Sequence, residues 1–284
     1  MRLGGPVEHE AGNAESWIAA LQAHNYGTAV FPLRHDSPRG QIGEHVAAAE
    51  RAGVVIAEVG AWSNPISIDE AERTTAIAYC QAQLALAEDI GARCCVNIAG
   101  SRHARWDGPH PDNLSAATFE LIVETTHLII DAVKPVRTVF ALEMMPWIFP
   151  DSPESYLELI QAIDRPGFGV HLDPVNIINS PGRYFRNGEV IRECFRLLGP
   201  HIRSCHAKDT LMSPALTTHI DEVRPGTGAL DYAVFLQEAS QLDPDLPIIL
   251  EHLPNAAEYD LAADHLRHVA AAEGLQFVSP WTPA

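Results

Sequence analysis

Basic residues are scarce in this sequence. It has 19 lysines and arginines against 37 aspartates and glutamates, which gives a formal net charge of −18. A negative field of this size repels nucleic acids and acidic membranes, and no local basic cluster interrupts it. No apolar run approaches the roughly 20 residues of a membrane span. The N-terminal residues MRLGGPVEHEAG lack the basic stretch and apolar core of a secretory signal. We therefore expect neither a nucleic acid nor a membrane partner.

Cysteine is also scarce, and its spacing is irregular. The five cysteines are Cys80, Cys94, Cys95, Cys194 and Cys205, an odd number with no CxxC pair. This pattern disfavours a disulfide framework and a zinc-thiolate site, and it is typical of a reducing compartment. Together with 46% hydrophobic and 20% charged residues, it predicts a soluble cytoplasmic protein.

The sequence does contain a regular alternation of short apolar runs and helical patterns. Asn13 and Ser152 are suitable N-caps for two of the predicted helices, and Gly53 is a suitable end for another. Eight strand–helix units predict a single (β/α)8 TIM barrel of the α/β class over residues 1–284, with an open doubly wound sheet as the alternative. The segment with EVRPGTG is predicted to be a loop, and the tail VSPWTPA is expected to pack on the outside of the barrel. The predicted strands cover residues 1–8, 28–33, 54–62, 93–100, 138–147, 168–178, 202–209 and 246–253.

Four of the apolar runs end in a side chain that can bind a metal ion: Glu143, Asp173, His206 and Glu251. A carboxylate at the end of a buried strand is costly unless something pairs with it. Taken singly, each is more often a helix cap, a salt-bridge partner or a core histidine. The predicted strands five to eight are neighbours in the ring, however, so the four side chains can converge at its carboxyl end. Ala141, His171, Ser204 and Ile249 are expected to form the layer beneath.

The composition of this cluster also indicates which metal it would bind. Three carboxylates and one imidazole, without a thiolate, favour Mn²⁺ or Mg²⁺, with Co²⁺ as an option and zinc less suited. We expect Mn²⁺.

Other side chains on the same end of the predicted barrel are candidates for substrate contacts. Tryptophans follow strands three, four and five, and aromatic faces suit the C–H surfaces of sugars, although ordinary loop packing is the alternative. Lys208 shares a face with His206 and could reach a substrate oxygen. Arg224 precedes PGTG, whose glycines permit a close backbone approach or a plain turn. The candidates in this group are Trp62, Trp106, Trp147, His103, Lys208 and Arg224.

The sequence resembles the xylose-isomerase-like TIM barrel family, also called sugar phosphate isomerase/epimerases. The resemblance covers nearly the whole chain and rests on LEMMP, GVHLDPVN, CHAKD, EVRPGTGALD and LEH. In relatives such as the ketose 3-epimerases, the four equivalent residues hold one divalent metal. By that resemblance, Glu143 and Glu251 are both ligands and proton-transfer groups. The chain departs from those epimerases at Asn176, where they place a substrate-binding histidine, and Asn176 is a further candidate substrate contact.

The resemblance implies a metal-dependent sugar isomerase or epimerase that transfers a proton next to a carbonyl through a metal-stabilised enediolate. The same enediolate could expel a β-leaving group, so the alternative is a lyase that deglycosylates 3-keto-glycosides. An endonuclease IV-like phosphodiesterase is disfavoured, because such enzymes use several zinc ions and a basic groove. A non-catalytic sugar-binding barrel would not need two glutamates on the metal. The expected partner is a small carbohydrate; its phosphorylation and a homo-oligomeric state are left open.

Overall fold

A computed structural model describes residues 1–281 and confirms the predicted (β/α)8 barrel. Residues 282–284, which belong to the predicted C-terminal tail, lie outside the described residues. Eight parallel strands form one sheet in the order β1-β10-β7-β6-β5-β4-β3-β2. The barrel strands are β1 (Arg2–Gly4), β2 (Thr28–Val30), β3 (Val55–Gly60), β4 (Cys94–Asn97), β5 (Phe140–Glu143), β6 (Phe168–Leu172), β7 (Ile202–Ala207) and β10 (Pro247–Leu250).

The barrel is nearly closed where β1 approaches β2. The Gly27 amide, just before β2, donates a hydrogen bond to the Leu3 carbonyl in β1 at 2.9 Å. Gly4 has no side chain, and a Cβ at that position would lie 2.3 Å from the Thr28 carbonyl oxygen. Glycine at position 4 therefore permits the close backbone approach of the two strands that end the sheet order.

Helices cover the outside of the barrel, and their ends match the capping residues in the sequence. Asn13 and Ser152 cap α1 and α5 through their side chains, and Gly53 ends α2 in the left-handed conformation. The helices are α1 (Ala14–Ala23), α2 (Arg39–Ala52), α3 (Glu70–Ile90), α4 (Ala116–Val133), α5 (Pro153–Ile163), α6 (Pro181–Tyr184), α7 (Asn187–Leu198), α8 (Tyr232–Ser240) and α9 (Ala256–Ala272).

All eight barrel strands are shorter than predicted, and two segments on the carboxyl side of the barrel also form elements that the sequence did not predict. The predicted loop after the seventh strand contains an antiparallel hairpin, β8 (Asp209–Ser213) paired with β9 (His219–Val223). Most of its side chains are exposed or half-buried, so it lacks the apolar run that marks the barrel strands. The predicted sixth strand is also shorter, because it ends at Leu172, before Pro174, and a 3₁₀ turn follows.

Apolar packing fills both sides of the barrel wall. The large core lies between the strands and the helices. A small separate cluster consists of Cys94 and Val96 on β4, Ala141 on β5, and Val139, which directly precedes β5. Ala141 and Glu143 are two residues apart on β5, so this cluster shares the interior face with Glu143. All five cysteines are buried and free.

The described part of the predicted tail packs beside the first two strands. The Val278 amide donates to the Met1 carbonyl at 3.0 Å, and the Trp281 indole donates to the Tyr26 carbonyl at 2.9 Å. Among the described residues, no helix combines the length and the apolar character needed to cross a membrane.

Candidate metal centre and substrate cavity

The four predicted metal ligands come together at the carboxyl end of the barrel. Glu143 is the last residue of β5, Asp173 directly follows β6, His206 lies near the end of β7, and Glu251 directly follows β10. Each offers a ligand atom, and all four atoms lie within 4.8 Å of one another. Because β5, β6, β7 and β10 are adjacent in the sheet, their ends carry the side chains to one point.

The geometry within this cluster suits a divalent cation. His206 Nδ1 lies 2.7 Å from a Glu251 oxygen, 3.4 Å from a Glu143 oxygen and 3.8 Å from Asp173 Oδ2. Asp173 Oδ2 and Glu251 Oε1 are buried and accept no hydrogen bond of good geometry. The Lys208 ammonium lies close to both oxygens and His206 Nδ1 lies close to the second, but neither group completes such a hydrogen bond. Buried carboxylate oxygens in this state are costly, and a shared cation would satisfy them. The cluster could therefore hold a metal ion through Glu143, Asp173, His206 and Glu251.

Lys208 places a positive charge against the same carboxylates. Its ammonium lies 2.7 Å from Asp173 Oδ2 and 3.4 Å from Glu143 Oε1, and it also contacts Glu251. The side chain is buried, and Tyr232 donates a hydrogen bond to the Lys208 carbonyl at 2.6 Å. Lys208 is thus fixed at the edge of the cluster, where it partly neutralises three acidic groups.

The charged groups of the cluster shift the pKa values of one another. Burial raises the pKa of Glu143, and this effect exceeds the opposing influence of His206 and Lys208. Burial by itself would also raise the pKa of Glu251. The nearby His206 and Lys208 outweigh this effect and lower the pKa of that carboxyl to about 2. The two glutamates therefore differ, since Glu143 holds its proton more readily than Glu251.

A second buried group lies directly beneath the cluster, and its central residue was not predicted from the sequence. Glu58 of β3 accepts a hydrogen bond from the Ser204 hydroxyl at 2.5 Å, and its oxygens lie 3.5 Å from His171 Nδ1 and 3.7 Å from His206 Nε2. His171 and Ser204 were predicted to be in this layer. The signal for Glu58 was present, because it is a carboxylate inside the apolar run VVIAEVG.

Neither ring nitrogen of His171 has a hydrogen-bond partner. Burial, followed by the charge of His206, lowers the pKa of His171 to about 4, which leaves its imidazole neutral near pH 7. Glu58 therefore faces one neutral imidazole and the Nε2 side of His206.

A cavity of about 390 Å³ opens above the cluster. Glu143 and Glu251 both line it, together with Lys208 and the predicted substrate contacts Trp62, Trp106 and Asn176; Ile98, Asp107, Met145, Glu222 and His252 complete its walls. The indole of Trp62 packs directly against Gly60. A Cβ at position 60 would lie 2.6 Å from the indole nitrogen, so glycine leaves room for this ring. We call this space the inner cavity.

Asn176 contacts one of the predicted ligands directly. Its side-chain amide donates to Glu143 Oε1 at 2.9 Å and to the Met144 carbonyl at 3.0 Å. It therefore helps to orient Glu143, and it also forms part of the wall of the inner cavity.

Three other predicted contacts do not line the inner cavity, and one of them, Trp147, lines a neighbouring space instead. Arg224 forms an ion pair with Glu258 at 2.8 Å, and the ring of His103 accepts a hydrogen bond from the Arg105 amide at 2.9 Å. Neither side chain is among the residues that line the cavity.

His252 is a cavity residue that was not predicted from the sequence, although it directly follows Glu251. Its Nδ1 lies 3.1 Å from a Glu222 oxygen, and its Nε2 lies 3.6 Å from Glu251. The hydrogen bond with Glu222 raises the pKa of His252 above its ordinary value. Its side chain is 59% exposed, so the imidazole is open to a ligand in the cavity.

Comparison with known proteins shows to which family the chain belongs. The family model of the xylose isomerase-like TIM barrel matches residues 18–269. The chain belongs to this family. No curated protein matches the sequence.

The xylose isomerase-like barrel of this chain is similar to solved structures at low sequence identity. Endonuclease IV from Thermus thermophilus has a TM-score of 0.73 and 15% identity, over 96% of this chain and 100% of that one. A 3-keto-D-glucoside 4-epimerase from E. coli has a TM-score of 0.70 and 13% identity, over 95% and 99%. A D-tagatose 3-epimerase-like protein has a TM-score of 0.70 and 18% identity, over 96% and 98%. These likenesses show the fold, which serves several chemistries.

Proposed function

We propose that the protein is a divalent-metal-dependent sugar isomerase or epimerase that transfers a proton at a carbon next to a carbonyl. The observation that carries the proposal is the position of the inner cavity, whose wall includes two of the four converging ligands, Glu143 and Glu251, so that both glutamates can meet a bound molecule. A cavity of about 390 Å³ is near the lower end of the roughly 300–1,000 Å³ of small-molecule sites. It suits a single sugar unit.

The cluster would hold one divalent ion, for which Mn²⁺ is our first choice and Mg²⁺ or Co²⁺ the alternatives. When bound, the ion supplies a Lewis acid that stabilises negative charge on the sugar oxygens. Asn176 orients Glu143 by donating a hydrogen bond to its carboxylate. Trp62 and Trp106 line the same cavity, where aromatic faces can cover the sugar and exclude water.

The two glutamates are the proposed proton-transfer groups, while Asp173 and His206 serve only the metal. Both carboxylates line the inner cavity, so each can exchange a proton with a bound sugar. Glu143 ends β5 and Glu251 directly follows β10, the two ends of the four-strand arc, so the two groups can approach the sugar from different sides.

His252 favours β-elimination as a second candidate reaction. Its imidazole lines the inner cavity and lies 3.6 Å from Glu251, where it could protonate a leaving group after proton removal. This β-elimination would release an alcohol from a 3-keto-glycoside.

The charges of the cavity do not favour phosphodiester chemistry. The acidic groups Asp107, Glu143, Glu222 and Glu251 line it, and Lys208 is already in contact with carboxylates. A DNA backbone would meet a negative wall on a chain of net charge −18.

The test is solvent deuterium exchange with Mn²⁺-loaded protein and a panel of free ketoses, aldoses and 3-keto-glycosides. We expect deuterium uptake at the carbon next to the carbonyl of at least one substrate. Glu143→Gln and Glu251→Gln should each reduce this uptake by at least about 100-fold, the usual contribution of a general acid or base. Each glutamine keeps an oxygen for the metal.

Glu120→Gln is the matched control, because Glu120 is exposed on α4 and far along the chain from the cluster. It should exchange at the wild-type rate. If both cavity variants retain metal and still exchange like wild type, the roles assigned to the two glutamates are wrong, and His171 or Lys208 becomes the candidate base. Release of an alcohol from the keto-glycosides alone would indicate the lyase.

A further inference from the structure

A second, larger chamber adjoins the inner cavity. It has a volume of about 730 Å³ and lies between the segments that follow β5 and β6 and the β8–β9 hairpin. Asn176 and Glu222 line both spaces, so the chamber begins where the inner cavity ends. We call it the outer chamber. A single sugar unit at the ligand cluster would leave this space without an occupant.

The walls of the outer chamber combine apolar residues with neutral polar residues. Its apolar lining residues are Pro146, Trp147, Val175, Ile178, Pro181 and Ile220. The remaining polar residues are hydroxyl or amide side chains, apart from Glu222 at the junction. Among the described residues, no lysine, arginine or histidine lines the chamber, so it offers no charge partner for a phosphate. Its chemistry fits an uncharged group with an apolar face.

Trp147 is held in place as a wall of this chamber. Its indole nitrogen donates to the Asp107 carbonyl at 2.9 Å, while 37% of the residue remains exposed. Asp107 itself lines the inner cavity. This hydrogen bond joins the two spaces and leaves an aromatic face available for stacking.

The opposite wall is the hairpin, and its base is fixed to the strand that carries His206. The buried Asp209 carboxylate accepts hydrogen bonds from the amides of Thr210, Gly226, Gly228 and Leu230 at 2.7–3.1 Å. Glycine is required at position 228, because a Cβ there would lie 2.3 Å from the Asp209 carboxylate. The chamber is therefore bounded by a wall that is anchored next to the ligand cluster.

We propose that the outer chamber binds the second unit of a two-part substrate, a neutral glycoside whose flat apolar aglycone lies against Trp147. The sugar unit then occupies the inner cavity. This inference rests on the proposed function and narrows its substrate class. A glycosidic bond locks the anomeric carbon as an acetal, so the carbonyl needed for proton transfer must lie elsewhere on the ring. The substrate is a keto-glycoside, and the reaction that supplies it is the oxidation of a ring hydroxyl of the glycoside.

The experiment compares phenyl and methyl 3-keto-β-D-glucosides on the Mn²⁺-loaded full chain. Calorimetry gives the affinity for each probe, and deuterium uptake gives the rate of proton transfer. We expect the phenyl probe to bind at least tenfold more tightly, because only its ring reaches the apolar wall. Thr218→Trp, which fills the chamber from the exposed hairpin loop, should reduce this preference to less than threefold. Trp147→Ala should also reduce the preference for the phenyl probe over the methyl probe.

Thr217→Trp is the matched control, since it makes the same change one residue away, outside the chamber lining. It should keep the full preference for the phenyl probe. Equal affinities for the two probes, no measurable affinity for either, or a preference that Thr218→Trp leaves intact would overturn the inference. A phenyl preference without deuterium uptake from either keto-glucoside, or from any sugar of the panel above, would support the outer chamber and reject the proton-transfer proposal. The two ideas are thus judged by different measurements.

Discussion

At the scale of single residues, His206 has a contact on each side of its ring. Its Nδ1 faces the three carboxylates of the candidate metal centre, and its Nε2 lies 3.7 Å from Glu58. A carboxylate behind a metal-binding histidine sets the tautomer and the orientation of the ring. Glu58 is itself held by the Ser204 hydroxyl, so it is a positioning residue for the proposed metal site.

We predict that Glu58→Gln weakens Mn²⁺ binding by about 10–100-fold, the range typical of such outer partners. Isothermal calorimetry on chelator-treated protein measures the affinity. Glu58→Asp distinguishes the effect of the carboxylate's position from the effect of its charge. Aspartate keeps the negative charge, but its side chain is one methylene shorter and its oxygens lie farther from His206. We expect it to bind Mn²⁺ nearly as weakly as Glu58→Gln. Wild-type affinity in both folded variants would contradict the positioning role.

At the scale of secondary-structure elements, Arg2 connects the start of β1 to three neighbouring segments. Its guanidinium donates to Asp245 at 2.7 Å, to the Gly27 carbonyl at 3.2 Å and to the Gly53 carbonyl at 2.7 Å. These partners precede β10, precede β2 and end α2, respectively. The side chain is only 13% exposed, so its loss leaves carbonyl groups without a donor.

Arg2→Met is expected to lower the free energy of unfolding by about 1–3 kcal/mol, because it removes hydrogen bonds from a charged donor at the seam of the barrel. Denaturant unfolding measures this change. Arg34→Met is the control, since the Arg34–Asp36 pair is exposed and should contribute little. Equal stabilities of the two variants would contradict the role assigned to Arg2.

The stability that Arg2→Met loses relative to wild type should depend on pH. The hydrogen bond from Arg2 lowers the pKa of Asp245 below its ordinary value of 3.8. A lowered carboxyl pKa in the folded state stabilises the protein above the unfolded pKa, and this stabilisation is lost as the pH falls through the folded value. The difference in stability between wild type and Arg2→Met should therefore narrow as the pH drops below about 4.

At the scale of the whole molecule, the candidate metal centre gathers residues from the second half of the chain. Glu143, Asp173, His206 and Glu251 lie far apart in the sequence and meet only when β5, β6, β7 and β10 are paired. An ion that binds this assembled cluster binds the folded chain and not the unfolded one. Metal binding should thus stabilise the entire barrel by mass action.

Adding Mn²⁺ to chelator-stripped protein at about 100 times its Kd should stabilise the fold by about 2.7 kcal/mol and raise Tm by several degrees. Differential scanning calorimetry gives the shift, and elemental analysis gives the bound metal. Asp173→Ala should lose both responses. Equal metal content in wild type and Asp173→Ala would reject the four-ligand site.

The repeating pattern made the fold and the ligand cluster accessible to sequence reasoning. Each ligand ends an apolar run, and the carboxyl ends of neighbouring parallel strands meet at one edge of the barrel. Glu58 carried the same signal in VVIAEVG but lies in the middle of its strand, so its role became clear only through its contacts with Ser204 and His206. The hairpin gave no comparable signal, because its half-exposed strands are stabilised by backbone pairing and by Asp209.

By itself, the sequence determined the eight strand–helix units, their order and the end at which acidic and imidazole groups collect, while closure of the sheet into a barrel was decided by the pairing of distant strands. These features depend on periodicity and on local caps, which are properties of short segments. The tertiary structure alone decided that Lys208 contacts three carboxylates, that Arg224 pairs with Glu258, and that the hairpin forms an outer chamber beside the inner cavity. Such contacts depend on the direction of each side chain and on packing between distant segments, which no local pattern specifies.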